Sequence, residues 1–154
     1  MADVADTELK ARISEETKTA MKARDKARVA ALRMINAEIK RIEVDERKAL
    51  DDDAVLEVLT RMLKQRRDSL SQFEAAGRED LAATERFEID VVEGFMPAAM
   101  SEADIEALVE KVVADTGAAG MQDMGKVMGT VKGAITGRAD MAVVSAKVKA
   151  RLSA

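Results

Sequence analysis

Four glycines at four-residue steps, Gly125, Gly129, Gly133 and Gly137, are the most regular feature of the chain, and three cations punctuate them: Lys126, Lys132 and Arg138. On a helix, four-residue steps fall along one slowly turning face, so these glycines would leave a smooth groove beside positive charge. The chemistry of such a groove is non-covalent. One use is close helix–helix packing, with Gly133 and Gly137 as turn residues, the ordinary reason for glycine in a helical pattern. The other is a surface that a nucleic-acid backbone or a partner approaches closely, with the three cations meeting phosphate. The stretch does not match the GxxxxGK[ST] phosphate-binding loop, so nucleotide binding is not expected.

Other charged clusters have plainer readings. Lys22, Arg24, Lys26 and Arg28 straddle a turn and need not share a face, so a solvated surface is the first expectation. Their functional reading is phosphate contact on a folded RNA, because aromatic side chains for base stacking are missing nearby. Lys64, Arg66 and Arg67 are expected to form a solvated helix face, paired with neighbours such as Asp68 and Glu74. Asp45-Glu46 and the run Asp51 to Asp53 lack the spacing and the glycine of a calcium loop; helix capping accounts for Asp51 to Asp53, and no metal is expected.

Covalent chemistry has little to work with. The 154 residues include no Cys and no His, which excludes thiolates, disulfides and Cys-bound zinc and removes the commonest general base. No local motif pairs a Ser, Thr or Lys nucleophile with a base, so no catalytic residue and no cofactor are expected. The acidic start MADVADTELK lacks the apolar core of a signal peptide, and no run of about 18 apolar residues exists to span a membrane. The expected location is the cytoplasm. The net charge of -4 conceals local patches. Residues 10–41 hold ten Lys or Arg and four acids, whereas 117–154 hold six basic residues against Asp123 and Asp140. A polyanion partner is compatible with that pattern.

The elements that must position these groups are helices. Hydrophobic residues make up 47% of the chain, yet only Phe73, Phe87 and Phe95 are aromatic, so Ala, Leu, Val, Ile and ten Met must fill the core. This composition favours helix throughout. A first helix starts near Asp6 or Thr7, with Leu9, Ile13, Ala20 and Met21 on one face. Asp25 caps a second, with Val29, Leu32, Ile35, Ile39 and Ile42 as its stripe to about residue 48. Asp51 to Asp53 open a third, carrying Val55, Leu56, Leu59, Met62, Leu63, Leu70 and Phe73, and Gly77 ends it. A fourth runs from Glu79, packing through Leu81, Phe87, Ile89, Val92 and Phe95. Pro97, the only proline, marks the boundary between an N-terminal domain (1–97, about four helices) and a C-terminal one (98–154, about three). Ser101 caps the next helix, which uses Ile105, Leu108, Val109 and Val112 and ends at Gly117. Residues 120–137 hold a shorter helix using Met121, Met124, Val127, Met128 and Val131. A last helix runs from Asp140, with Met141, Val144, Val148 and Leu152 inward.

The stretch KQRRDSLSQFEAAGREDLAATERFEIDVVEGFMP at 64–97 resembles the signature segment of YqeY-like proteins. DMGKVMG at 123–129 and GRAD at 137–140 resemble the tail of the same family, a tail shared with the C-terminal region of GatB, a subunit of the glutamine-dependent aspartyl/glutamyl-tRNA amidotransferase. The resemblance implies an all-α fold with a longer N-terminal helical part and a compact C-terminal one. In GatB the corresponding tail helps hold the tRNA, while the carbon–nitrogen ligase chemistry lies elsewhere. The implied function is therefore a non-catalytic module that binds tRNA or another folded RNA, with an amidotransferase or tRNA-handling protein as a further partner and no membrane. Lys126 and Arg138 lie within the matching motifs and Lys132 between them, all three facing phosphate; Asp140 caps the last helix. This chain departs from its relatives at Met141, where Gly is frequent, and at TVKGAITG, where many carry a proline. The alternative is a helical protein-interaction adaptor without RNA binding. An independent amidotransferase or hydrolase is the reading least supported by the residues.

Overall fold

Carboxylates and one serine placed ahead of apolar runs set where the helices begin. The computed structural model describes residues 8–135 and 137–154; seven α-helices and a short 3-10 turn form its regular structure, with no strand among the described residues. Asp25 accepts a hydrogen bond from Arg28 N (3.1 Å) and opens α2 (Lys26–Glu46). Asp51 accepts from Ala54 N (2.8 Å) at the start of α3 (Asp52–Ala75). Ser101 accepts from Asp104 N (3.1 Å) before α5 (Glu102–Thr116), and Asp140 from Ala142 N (2.8 Å) before α7 (Met141–Leu152). Each cap satisfies an N–H group that the helix itself leaves open, worth about 1 kcal/mol. The cap expected for α1 (Glu8–Lys22) at Asp6 or Thr7 lies outside the described residues. Its first turn has a distant partner instead: Asp52 accepts from Leu9 N at 3.1 Å. α4 (Glu79–Glu93) begins just after Gly77, whose φ of 71° is the left-handed terminus expected there. α6 (Met124–Ile135) follows the 3-10 turn Met121–Asp123.

The chain divides into two compact units, Met1–Met96 and Pro97–Ala154. In the first, α1 pairs with α2 and α3 with α4, and the two hairpins pack on each other. The expected stripes supply the core: Ile13, Leu32, Ile35, Leu59 and Val92 are among its buried residues. Two expected members are exposed instead. Met21 is 50% exposed because it lies in the last turn of α1, at the tip of the hairpin. Phe87 is 38% exposed, off the face set by Ala82, Ile89 and Val92. The basic residues of α3 also differ from expectation. Arg66 reaches across to Glu85 (3.5 Å) and Glu88 of α4, and Arg67 to Glu93 (2.6 Å), rather than pairing with helical neighbours. The short turn between α3 and α4 makes them antiparallel neighbours, and that proximity selects the partners.

The second unit is a three-helix arrangement of α5, α6 and α7 over a valine-dominated core. Val109, Val112, Val113, Val127, Val131, Val144 and Val148 meet Ile105, Ile135 and Leu152. Met141 and Met121, expected inward, are 39% and 43% exposed. Met141 is the first residue of α7, ahead of the turn that Val144 buries.

Candidate nucleic-acid interface

α6 buries Val127, Val131 and Ile135, four residues apart. At about 100° per residue, with Val131 as zero, Gly125, Gly129 and Gly133 fall at roughly 120°, 160° and 200°. The glycine strip is therefore the side of α6 that faces away from the core. A Cβ built on any of these three glycines would meet nothing within 4 Å. The close helix packing expected of them is absent from the described residues, and Gly133, expected in a turn, lies inside the helix. Gly137 does take the left-handed conformation of a turn, at φ 74°.

The three expected site residues fall in different places. On the same reckoning Lys132 lies at roughly 100° and Lys126 at roughly 220°, at opposite edges of the strip and about 9 Å apart along the axis. Both are exposed. Lys126 Nζ donates to Thr116 O at 3.1 Å, at the C-terminal end of α5 where unpaired carbonyls favour a cation. Arg138 lies past the end of α6, and its Nε donates to Ala98 O at 3.3 Å. Its own carbonyl accepts from Met100 N at 2.9 Å, so Arg138 ties the segment before α5 to the α6–α7 turn. Lys126 and Lys132 thus share the strip, and Arg138 serves a different junction.

Charge around the strip is sorted by helix. Residues 97–154 hold seven basic and seven acidic residues, so steering must come from a local face rather than the total. α5 carries most of the acids. Its Glu106 takes Lys147 of α7 (3.2 Å) and its Glu110 takes Arg151 (2.5 Å). Asp123 accepts from Ala119 N (2.8 Å) and Gly120 N (3.4 Å), so this carboxylate serves the bend ahead of α6. Lys149 is exposed on α7 with no ion pair among the described residues. Sequence reading counts Lys147, Lys149 and Arg151 alike; only the α5–α7 pairing tells them apart.

Two clefts lie in the first unit. One, about 270 Å³, is lined by Met34, Glu38, Met62, Gln65, Arg66 and Ser69. The other, about 290 Å³, is lined by Lys10, Ser14, Asn36, Ile39, Lys40 and Glu43. Neither presents a nucleophile hydrogen-bonded to a base among the described residues: Lys10 is taken by Glu43 at 2.6 Å, and Asn36 donates to Thr17 at 3.0 Å. No group of three or more Asp or Glu that could hold a metal occurs among the described residues, and no helix there is long and apolar enough to cross a membrane.

A family model described as Yqey-like protein matches residues 10–152. The chain is 30% identical over 142 residues to "Altered inheritance of mitochondria protein 41, mitochondrial" of Pyrenophora tritici-repentis, covering 90% of this chain and 77% of that protein. It is 33% identical over 106 residues to the protein of that name from Eremothecium gossypii, covering 68% of this chain and 57% of the relative. For the Saccharomyces cerevisiae protein the match is 32% over 101 residues, covering 64% and 55%. The chain thus spans little more than half the length of the latter two. These relatives are named as mitochondrial proteins, which overturns the cytoplasmic location expected from the sequence. That expectation rested on the lack of a secretory segment and of an apolar span, and neither feature bears on delivery to an organelle.

Proposed function

Because the chain belongs to the Yqey-like family, we propose that it is a non-catalytic module that holds tRNA or another folded RNA on the outer face of α6. One observation carries the reading: Gly125, Gly129 and Gly133 lie side by side within a helix, with open space where each side chain would be. A helix-interior glycine costs roughly 0.5–1 kcal/mol relative to alanine. Nothing among the described residues of the unit requires these three, so we infer that the cost is offset by something outside it that must approach the backbone closely. Lys126 and Lys132 at the edges of the strip suit a phosphodiester backbone, which needs close approach and flanking positive charge. The resemblance to the GatB tail points the same way, and the ligase chemistry of that enzyme is no part of the proposal.

The test is a titration of unfractionated tRNA at two salt concentrations. Wild type is expected to bind with a steep loss of affinity on adding salt. A Gly125→Ala/Gly129→Ala/Gly133→Ala variant is expected to be more stable yet to bind at least several-fold more weakly, and Lys126→Ala/Lys132→Ala to bind weakly with a shallower salt slope. Wild-type affinity in both variants rejects this face as the site. A specific observation favours a second reading, a protein-interaction adaptor: the unit's charges balance, and a side-chain-free strip also admits a partner helix. Under that reading the glycine variant loses a protein partner that survives nuclease treatment, while tRNA does not bind.

A further inference from the structure

The turn between α1 and α2 gathers cations that no ion pair among the described residues compensates. Residues 21–27 are all exposed. Lys22 ends α1, Lys26 begins α2, and only three residues separate them. Lys18 lies one helical turn before Lys22 on the same outer side of α1. Between Thr17 and Arg28 the single acid is Asp25, whose carboxylate is spent on the N-terminus of α2. Arg28 is paired with Glu16 at 3.8 Å. No hydrogen bond or ion pair among the described residues engages the side chains of Lys18, Lys22, Arg24 or Lys26.

Two comparisons within the unit make this cluster distinctive. α2 and α3 run antiparallel with Arg66 beside Met34, so the α3–α4 turn lies at the same end as the α1–α2 turn. There every cation is matched: Arg78 meets Asp80 (3.2 Å), and Arg86 meets Glu79 (2.5 Å) and Glu74 (3.5 Å). The second comparison is backbone conformation. Arg24 has φ 56°, in the left-handed region where glycine is at ease and a larger residue pays steric strain. The turn is nevertheless fixed, with Asp25 N bonded to Ala20 O and Arg24 N to Met21 O, both at 3.1 Å. A rigid tip thus carries four unpaired cations, one of them held at a strained position.

We propose that the α1–α2 turn, through Lys18, Lys22, Arg24 and Lys26, is a second phosphate-binding surface, engaging the sugar-phosphate backbone of a folded RNA. It rests on the reading that the chain binds RNA but not on the α6 strip as the place. Several cations on a fixed turn match a row of phosphates, and neither the turn nor the two helices it joins carries an aromatic side chain, which argues for backbone over base contact. A membrane surface is the poorer fit, because interfacial binding needs bulky apolar side chains beside the charge and this tip offers only Met21.

The experiment compares tRNA binding by four versions of the chain: wild type, Lys22→Ala/Arg24→Gly/Lys26→Ala, the triple glycine variant of α6, and a control, Arg41→Ala/Arg78→Ala/Arg86→Ala, that removes the same charge from paired sites. Glycine at position 24 suits the left-handed backbone, so the turn variant keeps its fold. It is expected to bind roughly tenfold to a hundredfold more weakly at low salt, with the salt slope reduced by about two to three. The control is expected to change by less than about threefold. Loss in the turn variant with wild-type affinity in the α6 variant supports this surface and rejects the other. The reverse pattern rejects this surface alone. Equal loss in turn variant and control overturns it as bulk charge. Failure of wild type to bind tRNA overturns both, as does binding only to phosphatidylserine vesicles.

Discussion

In the first unit, charged side chains reach between helices. Lys10 of α1 meets Glu43 of α2 at 2.6 Å, and Arg66 of α3 sits between Glu85 and Glu88 of α4, all of them less than a fifth exposed. In the second unit the interior is apolar, and the helix-to-helix ion pairs, Lys147–Glu106 and Arg151–Glu110, lie at the rim. The difference teaches where each unit places its specificity. Half-buried ion pairs penalise a wrong register of the first unit's helices, since a shifted helix would strand a charge. The valine core of the second unit is indifferent to charge, which leaves the outer face of α6 free of side chains that folding would otherwise need.

The largest effect that could break this contrast is Arg66→Ala. It should cost about 2–4 kcal/mol in denaturant unfolding, because two half-buried carboxylates lose their cation. Arg151→Ala should cost only a few tenths, about the worth of an exposed pair. Similar costs for the two would erase the contrast. Next comes Val131→Ala in the second unit, expected to cost about 2–3 kcal/mol through the cavity it leaves at a fully buried site.

A smaller effect separates the two ionic sites of the first unit by pH. Burial pushes the Glu88 carboxyl above its ordinary 4.5; Glu85 adds to the rise, and Arg66 opposes it. Such a group is protonated more in the folded than in the unfolded chain. Its penalty is absent below about pH 4.5 and grows as pH rises through the folded value. Glu88→Gln should therefore flatten that decline, with its effect on stability becoming more favourable as pH rises above 4.5. Glu43 has the opposite sign. Burial alone would raise it, but the Lys10 ammonium, the Leu50 N–H and the charge of Lys40 hold it below 4.5. Its contribution is present above pH 4.5 and fades as pH falls through the folded value, so Glu43→Gln should remove that acid-side loss and cost stability at neutral pH. Parallel pH–stability profiles for the two variants would refute this account.

The smallest effect sharpens the contrast most. Gly129→Ala should stabilise the second unit by about 0.5–1 kcal/mol, since the added methyl meets nothing and the helix gains rigidity. A loss of stability would mean that the strip has a packing role within the folded chain.

Much of the fold is legible in the residues because the signals are local. Asp25, Asp51, Ser101 and Asp140 cap helices where their spacing ahead of apolar runs says they should. The misreadings of the core have two sources. Phe87 is apolar but off the buried face of α4. Met21 and Met141 lie at helix ends, where burial also needs a neighbouring element overhead, and the sequence does not show where those elements end. The candidate site is legible only as a list of cations. Lys126, Lys132 and Arg138 look alike in sequence, yet one caps α5, one borders the strip and one fastens the segment at Ala98.

By itself the sequence determined the helical class, the positions of most caps and the apolar stripes, since each depends on residues within one or two helical turns of one another. Only the tertiary structure decided which cations stay available. Arg66 and Arg67 are consumed by α4 and Lys147 and Arg151 by α5, whereas Lys22, Arg24 and Lys26 meet no carboxylate. The physical reason is that an ion pair forms over a few ångströms of space, and helices distant in the chain supply the partner. The same distinction turned the glycine steps of α6 from an expected packing seam into an open face.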